Sequence, residues 1–275
     1  MQRRILCSVL TIVTSASVAA AAPRPLAPPA REAFRADAAG DFHAATFFLG
    51  TGFEVGEGFT TGPLEPQNGW DATGTNLPWA SISTAAPFSG QQHLRLIEDP
   101  ASPVGALRIA FSPVLAPLPP TSSTVYVKVK ISNDQGADYD VFGQAPSQNL
   151  VAWRVEFSFS DDSFTGPGTI YVLDNPGTGL RFVSTNVRWT PAVYKELRVD
   201  LDNAAHVIRY YYDGALIYTG SIFGATTVEQ VGVLHDHYQL PGETCDVDAL
   251  SLQGLGEPAV SVRSMTWGEV KSLMR

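Results

Sequence analysis

The sequence predicts an all-β protein built as a two-sheet antiparallel sandwich, and three observations carry that expectation. Apolar residues recur with period two in several separate runs. Gly, Pro, Asn and Asp punctuate the chain between those runs, and the central part of the chain holds no sustained 3.6-residue apolar pattern. Period two places one side of each strand in a core and the other in water, as antiparallel sheets require.

The chain opens with Arg3 and Arg4, an apolar run from Ile5 to Val18, and the small residues Ala19 to Ala22. A charged start, a short apolar stretch and small residues predict a secretory signal peptide over 1–22, cut near Ala20 to Ala22. The run is too short and too rich in Ser and Thr for a membrane span, and no other stretch is apolar enough to be one. The expected product is soluble and exported, at the cell surface, outside the cell or in a periplasm. Cys7 precedes the apolar run, which argues against a lipid anchor there. Cys245 is then the only cysteine left, so no internal disulfide is expected.

Without Arg3 and Arg4 the chain carries 16 basic against 27 acidic residues, a formal balance of −11. Such a surface repels phosphates, which excludes nucleic acid and anionic membranes as natural partners. Carboxylates in that number suit calcium.

Residues 23–48, beginning "PRPLAPPAREAFRADAAG", read as an Ala/Pro-rich spacer of extended character. A single domain is expected over 49–254. Val125, Val127, Val129 and Ile131 share one face, opposite Tyr126, Lys128 and Lys130. Val151, Trp153, Val155, Phe157 and Phe159 form a second apolar face, opposite Arg154, Glu156, Ser158 and Ser160. Leu197, Val199 and Leu201 make a third, with Glu196, Arg198 and Asp200 outward. Further strands are predicted at 93–97, 106–111, 169–173, 180–184, 206–212, 215–219, 229–234 and 247–252. Asp213-Gly214 in "YYDGALIY" predicts a two-residue hairpin turn, and Asp202-Asn203 a turn upstream.

Residues 255–275 form a tail that ends with Trp267, Val270, Leu273 and Met274 at helical spacing, readable as a frayed terminus or a short docking helix. Its "WGEVK" resembles the W-G-x-[IV]-K endings of bacterial exported proteins, which implies a sorting or surface partner.

Trp189, the run "YKELRVDLDNAAHVIRYYYDGALIYTG" and "VDALSLQG" resemble the laminin-G-like, concanavalin A-like superfamily of jelly-roll sandwiches. "FEVGEGFTTGPLEPQNGW" at 53–70 and "FSGQQHLRL" are similar to the first strands of jelly-roll carbohydrate-binding modules. The resemblance implies that 53–70 is the first strand and first loop of the sandwich. It also implies that Glu54 and Asp248 share a structural calcium, although Asp248-Ala249 stands where the family commonly has two aspartates. From the residues themselves, Asp248 has the parity of Leu250 and Leu252, so its side chain is expected inward, where a carboxylate needs a partner. Calcium, a salt bridge to Arg or Lys and a solvated strand end all stay open.

Trp70 in "NGW" and Trp79 in "NLPW" are candidates for stacking on a sugar, against the alternative of covering the sandwich edge. In "VLHDHYQLPGETCD", His235 and His237 project to one side of a strand with Tyr238 nearby. They are candidates for ligand contact, for zinc or copper, or for a polar loop at the rim. Glu196, Asp200 and Asp202 lie on one outward face roughly 7 Å apart, the nearest approach to paired glycosidase carboxylates. The family's E-x-D-x-x-E motif is absent, and no G-x-S-x-G occurs. The expected function is an exported, non-catalytic glycan-binding module. The alternatives are a glycoside hydrolase or polysaccharide lyase of the same fold, or a structural protein of the envelope or extracellular matrix.

Overall fold

A computed structural model describes residues 33–36, 42–45, 47–73, 79–97, 107–132, 139–159, 167–236 and 243–255, the first two stretches by backbone alone. The signal peptide, most of the spacer and the tail from 256 lie outside the described residues. In chain order the strands are β1 (Ala33–Ala36), β2 (Phe42–Ala45), β3 (Phe47–Thr51), β4 (Gly62–Pro63), β5 (Asp71–Ala72) and β6 (Ala80–Ser83). Next come β7 (His93–Ile97), β8 (Leu107–Phe111), β9 (Ser123–Ile131), β10 (Tyr139–Ala145), β11 (Leu150–Phe159) and β12 (Pro167–Asp174). The last six are β13 (Arg181–Arg188), β14 (Lys195–Asp202), β15 (Val207–Tyr212), β16 (Ala215–Ser221), β17 (Gln230–Asp236) and β18 (Thr244–Gly254).

Two antiparallel sheets form the sandwich. The seven-stranded sheet has the order β13-β12-β11-β10-β17-β8-β5. The nine-stranded sheet runs β16-β15-β14-β9-β18-β7-β6-β4, with β3 also paired to β18. Every strand that alternation predicted is present within a few residues. At the β15–β16 hairpin Asp213 (φ +51) and Gly214 (φ +82) both take left-handed backbone, the geometry that an Asp-Gly turn supplies cheaply. Among the described residues no helix is long and apolar enough to cross a membrane.

The inward rows of the two sheets meet in one core. Val127, Val199, Tyr210 and Leu250 come from the nine-stranded sheet, and Val141, Trp153, Val172 and Val233 from the seven-stranded one. Each is buried, and each large side chain contributes about 1.5–3 kcal/mol by leaving water. Trp189, just beyond β13, closes one margin and donates Nε1–H to Ser158 O at 2.5 Å.

Two sequence expectations are corrected. The first strand of the sandwich is β3, ahead of Phe53, and residues 53–70 form two 3-10 turns around the two-residue β4. Glycines at 56, 58, 62 and 69 break any extended run there, while Phe53, Phe59, Leu64 and Trp70 fold inward; Phe53 packs on Phe59 and Trp70 at centroid distances of 5.4 and 5.2 Å. Within the residues read as a spacer, the backbone of β1 pairs antiparallel with that of β2. β18 also changes face partway. A bulge between Asp248 and Ser251, with Ala249 at φ +48, reverses the parity. Cys245 and Val247 point into the core before it and Leu250 and Leu252 after it, which leaves Asp246 and Asp248 on the outward side.

One margin of the sandwich is tied across the sheets by a carboxylate. Asp174, buried at the end of β12, accepts hydrogen bonds from Tyr218 Oη (2.8 Å), Ser221 N (3.1 Å) and Ser221 Oγ (3.1 Å) on β16. Asp174→Ala is expected to cost about 1–3 kcal/mol by leaving buried donors unpaired, and Tyr218→Phe about 1 kcal/mol. Urea unfolding of the two variants checks the ranking.

Candidate functional site

Glu54 and Asp248 are brought to one loop, residues 85–92 between β6 and β7. Asp248 is fully buried; its Oδ2 accepts from Phe88 N (2.9 Å) and Ser89 N (3.0 Å), and its Oδ1 from Ala249 N (2.7 Å). Glu54 Oε1 accepts from Gln91 N (2.9 Å) and Gln92 N (3.1 Å). Burial pushes the Asp248 carboxyl up, and these amide bonds pull against it. Gly90 (φ +64) lets the loop lie on the Glu54 carboxylate, because a Cβ there would stand 2.0 Å from Oε1. Calcium asks for carbonyl and carboxylate oxygens facing inward. Here the loop turns N–H groups to the two carboxylates, and no group of three or more acidic, His or Cys side chains among the described residues is placed to hold a metal. As arranged, the pair anchors a loop and does not fit a calcium site.

Asp246, two residues upstream, is the electrostatic centre of the same region. It is fully buried and takes Arg95 Nε at 2.6 Å, Arg95 Nη2 at 2.9 Å and Lys130 Nζ at 2.8 Å, with His93 Nε2 at 3.1 Å. Burial disfavours its charge, but the bonds from Arg95, His93 and Lys130 outweigh that and hold the carboxyl well below the usual range. Lys130 also lies 4.5 Å above the Tyr194 ring.

The rest of that outward face is a lattice of ion pairs. Lys128–Glu196 stands at 3.0 Å, Arg198–Asp200 at 2.6 Å and Arg209–Asp202 at 2.9 Å. Arg198 also lies over the Tyr211 ring at 4.5 Å. The three acids that resembled a glycosidase set are therefore each committed to a cation.

The aromatic and histidine candidates sit elsewhere than expected. Trp70 and Trp79 are 2% and 1% exposed, so neither ring offers a face to a sugar. Their loops are short enough that the indoles fold into the core end, where Trp79 Nε1 donates to Thr73 O at 3.0 Å. His235 is buried on the inward side of β17 and stacks on Tyr139 at 4.6 Å. His237 and Tyr238 lie outside the described residues.

The outward face of the seven-stranded sheet has a different character. One cross-strand row reads Phe111, Gly232, Phe142, and the next Ile109, Leu234, Asp140, Glu156, Tyr171, Ser184. Phe142, Asp140 and Leu234, on the two central strands, are buried although they point outward. Phe111, Arg154, Glu156, Tyr171 and Phe182, around them, are half-exposed. The face is thus buried along β10 and β17 and half-exposed on either side. Phe142 lies flat across β17 because Gly232 has no side chain, a Cβ there being 2.2 Å from the ring, and meets Phe111 edge-on at 6.0 Å. Arg154 donates Nε–H to Asp140 Oδ2 at 2.6 Å, brings a second nitrogen to the same oxygen, and lies 5.1 Å over the Phe182 ring.

Alternation on β11 already placed Arg154 and Glu156 outward. β10 went unrecognised because Asp140 and Gly143 interrupt its apolar pattern, although Tyr139 and Val141 alternate with Asp140 and Phe142. That strand supplies the buried centre of the face.

Two outcomes test the loop and its neighbour. The melting temperature is expected to be equal in calcium and in chelator, while Gly90→Ala lowers it; a saturable rise with calcium would return Glu54 and Asp248 to a metal role. Asp246→Asn is expected to cost about 3 kcal/mol at pH 7 by stranding Arg95 and Lys130. Because the folded carboxyl titrates below the unfolded value of about 3.9, its stabilisation is present above that pH and lost beneath it. The gap between variant and parent should therefore narrow as denaturation is followed below about pH 4.

No protein-family model and no curated protein matches the chain. Among solved structures it is similar to part of a sialidase, with a TM-score of 0.51 and 13% identity over 77% of this chain and 19% of that one. It is also similar to the carbohydrate-binding module CBM66 from Bacillus subtilis (TM-score 0.42, 11% identity, 68% and 96% of the two chains). A third is an alginate lyase from Alteromonas sp. 272 (0.41, 13%, 63% and 92%). At these identities the likeness concerns the fold. With two antiparallel sheets in this order, the chain has the fold of a concanavalin A-like jelly-roll sandwich.

Proposed function

We propose that this chain is an exported glycan-binding module whose ligand lies on the outward face of the seven-stranded sheet. The observation that carries the reading is the group Asp140–Arg154–Phe182 beside Glu156 and Tyr171. A sugar ring presents an apolar C–H face and a rim of hydroxyls. Half-exposed Tyr171 and Phe182 suit the face, while the Arg154 guanidinium and the Glu156 carboxylate lie beside them as donor and acceptor for the rim. The opposite sheet also carries paired charges beside rings, with Arg198 bonded to Asp200 and lying over Tyr211, so it serves as the control surface. The fold brings no activity of its own to this reading.

A hydrolase or lyase is the second reading, and one pair favours it. Asp140 and Glu156 stand directly opposite on neighbouring strands, with Cβ atoms about 5 Å apart in such pairs. Retaining glycosidases likewise set two carboxyl groups close together. Asp140 is held by Arg154, which favours binding over proton transfer.

Affinity electrophoresis of the full chain in gels containing polysaccharides tests the choice. Tyr171→Ala and Phe182→Ala are each expected to weaken retention about tenfold, equivalent to about 1.4 kcal/mol. Tyr211→Ala, on the other sheet, should leave it unchanged. Release of sugar from a retained polymer, lost in Glu156→Gln, would favour the enzyme instead.

A further inference from the structure

Residues 112–121, between β8 and β9, read "SPVLAPLPPT", with four prolines and no charge. No charged residue occurs anywhere between Arg108 and Lys128. The segment is pinned to the body at every third residue. Ser112 N donates to Val231 O (2.9 Å), Leu115 N to Glu229 O (2.8 Å), Leu118 N to Glu229 Oε1 (3.3 Å) and Thr121 N to Thr226 O (3.2 Å). A three-residue period is that of polyproline II, which the prolines favour by fixing φ. The four pinned residues make the inner line and are buried or half-buried. Val114, Pro117 and Pro120 make a second line at the same period, and all three are exposed. Ala116 and Pro119 beside them are exposed as well. The outer side is therefore an apolar strip, roughly 28 Å long at the polyproline rise. Its shape is set before anything binds, so an occupant loses little affinity to ordering it.

The end of β18 indicates the occupant. β18 and β9 are antiparallel, Gly254 pairs with Ser123, and Leu255 N donates to Ser122 O at 3.2 Å. Continued in that direction, the chain heads toward Thr121 and the strip. Residues 256–275 follow, outside the described residues. An extended chain from Leu255 to Trp267 spans up to roughly 40 Å, more than the whole strip. Of the five tryptophans, Trp70, Trp79, Trp153 and Trp189 are at most 2% exposed. The fifth, Trp267, belongs to this last segment, with Val270, Leu273 and Met274 close behind it. An indole suits a polyproline surface, because its flat ring packs on pyrrolidine rings while its N–H reaches a backbone carbonyl. We infer that residues 256–275 dock on the strip 113–120 of their own chain, with Trp267 set against Val114, Pro117 and Pro120.

The test uses the full chain labelled with 5-fluorotryptophan, and Trp267→Phe assigns the fluorine resonance of Trp267. In the native parent that resonance is expected away from its denatured-state position. It should return there in the double variant Val114→Asp, Pro117→Asp, while the other four resonances keep their places. Hydrogen exchange views the contact from the strip. The amides of Val114 and Ala116, outside the pinned set, are expected to exchange faster in Trp267→Ala, and those of Leu115 and Leu118 to stay unchanged. Should the double variant lose its fold, as the other four resonances would show, the exchange of Trp267→Ala decides alone. A Trp267 resonance already at the denatured position in the parent would overturn the inference. So would exchange at Val114 and Ala116 that is indifferent to Trp267→Ala. A docked position lost on dilution would put the segment on a second copy and overturn its placement on its own chain.

Discussion

Closing two antiparallel sheets over one apolar core constrains everything else in this protein. Each inward residue sends its neighbours outward, so burying Val141, Val155 and Val233 places Asp140, Arg154 and Leu234 on the surface of the seven-stranded sheet. Burying Val127, Val129 and Val199 likewise places Lys128 and Asp200 on the other sheet. The two outward faces are consequences of one packing decision, yet their chemistry differs. On the nine-stranded sheet oppositely charged residues fall next to one another and neutralise in place. On the seven-stranded sheet Phe142 and Phe182 flank the Arg154–Asp140 pair.

Acidic side chains here serve mainly as structural acceptors. Glu57 takes Thr51 Oγ1 and Gly52 N; Glu229, fully buried, takes Ser147 N, Ser147 Oγ and Leu118 N. Asp174, Glu54 and Asp248 do the same for β16 and for the loop before β7. A carboxylate withdrawn from water keeps its charge at tolerable cost when amide or guanidinium donors surround it. That use of acids explains how an acidic chain with one buried cysteine and no disulfide among the described residues holds its loops. It also leaves few carboxylates free for a metal or for acid–base work.

The places where local pattern misled are informative in the same terms. The parity of Asp248 with Leu250 was a sound reading of a regular strand, but a bulge at Ala249 reverses it. Trp70 and Trp79 lie in turns, and turns of this length cannot keep an indole from the open end of the core. His235 looked like part of a polar rim and instead lies against Tyr139.

By itself the sequence determined the all-β class, most strand positions, the Asp-Gly hairpin, and the outward placement of Arg154 and Glu156. These follow from period-two burial and from turn stereochemistry, both of which are local. Only the tertiary structure decided which outward residues become neighbours. Asp140 meets Arg154 across the neighbouring strands β10 and β11, while Phe142 crosses Gly232 through a pairing between strands far apart in the chain. Those registers depend on how two whole sheets close over a shared core, a long-range condition that no single stretch of residues encodes.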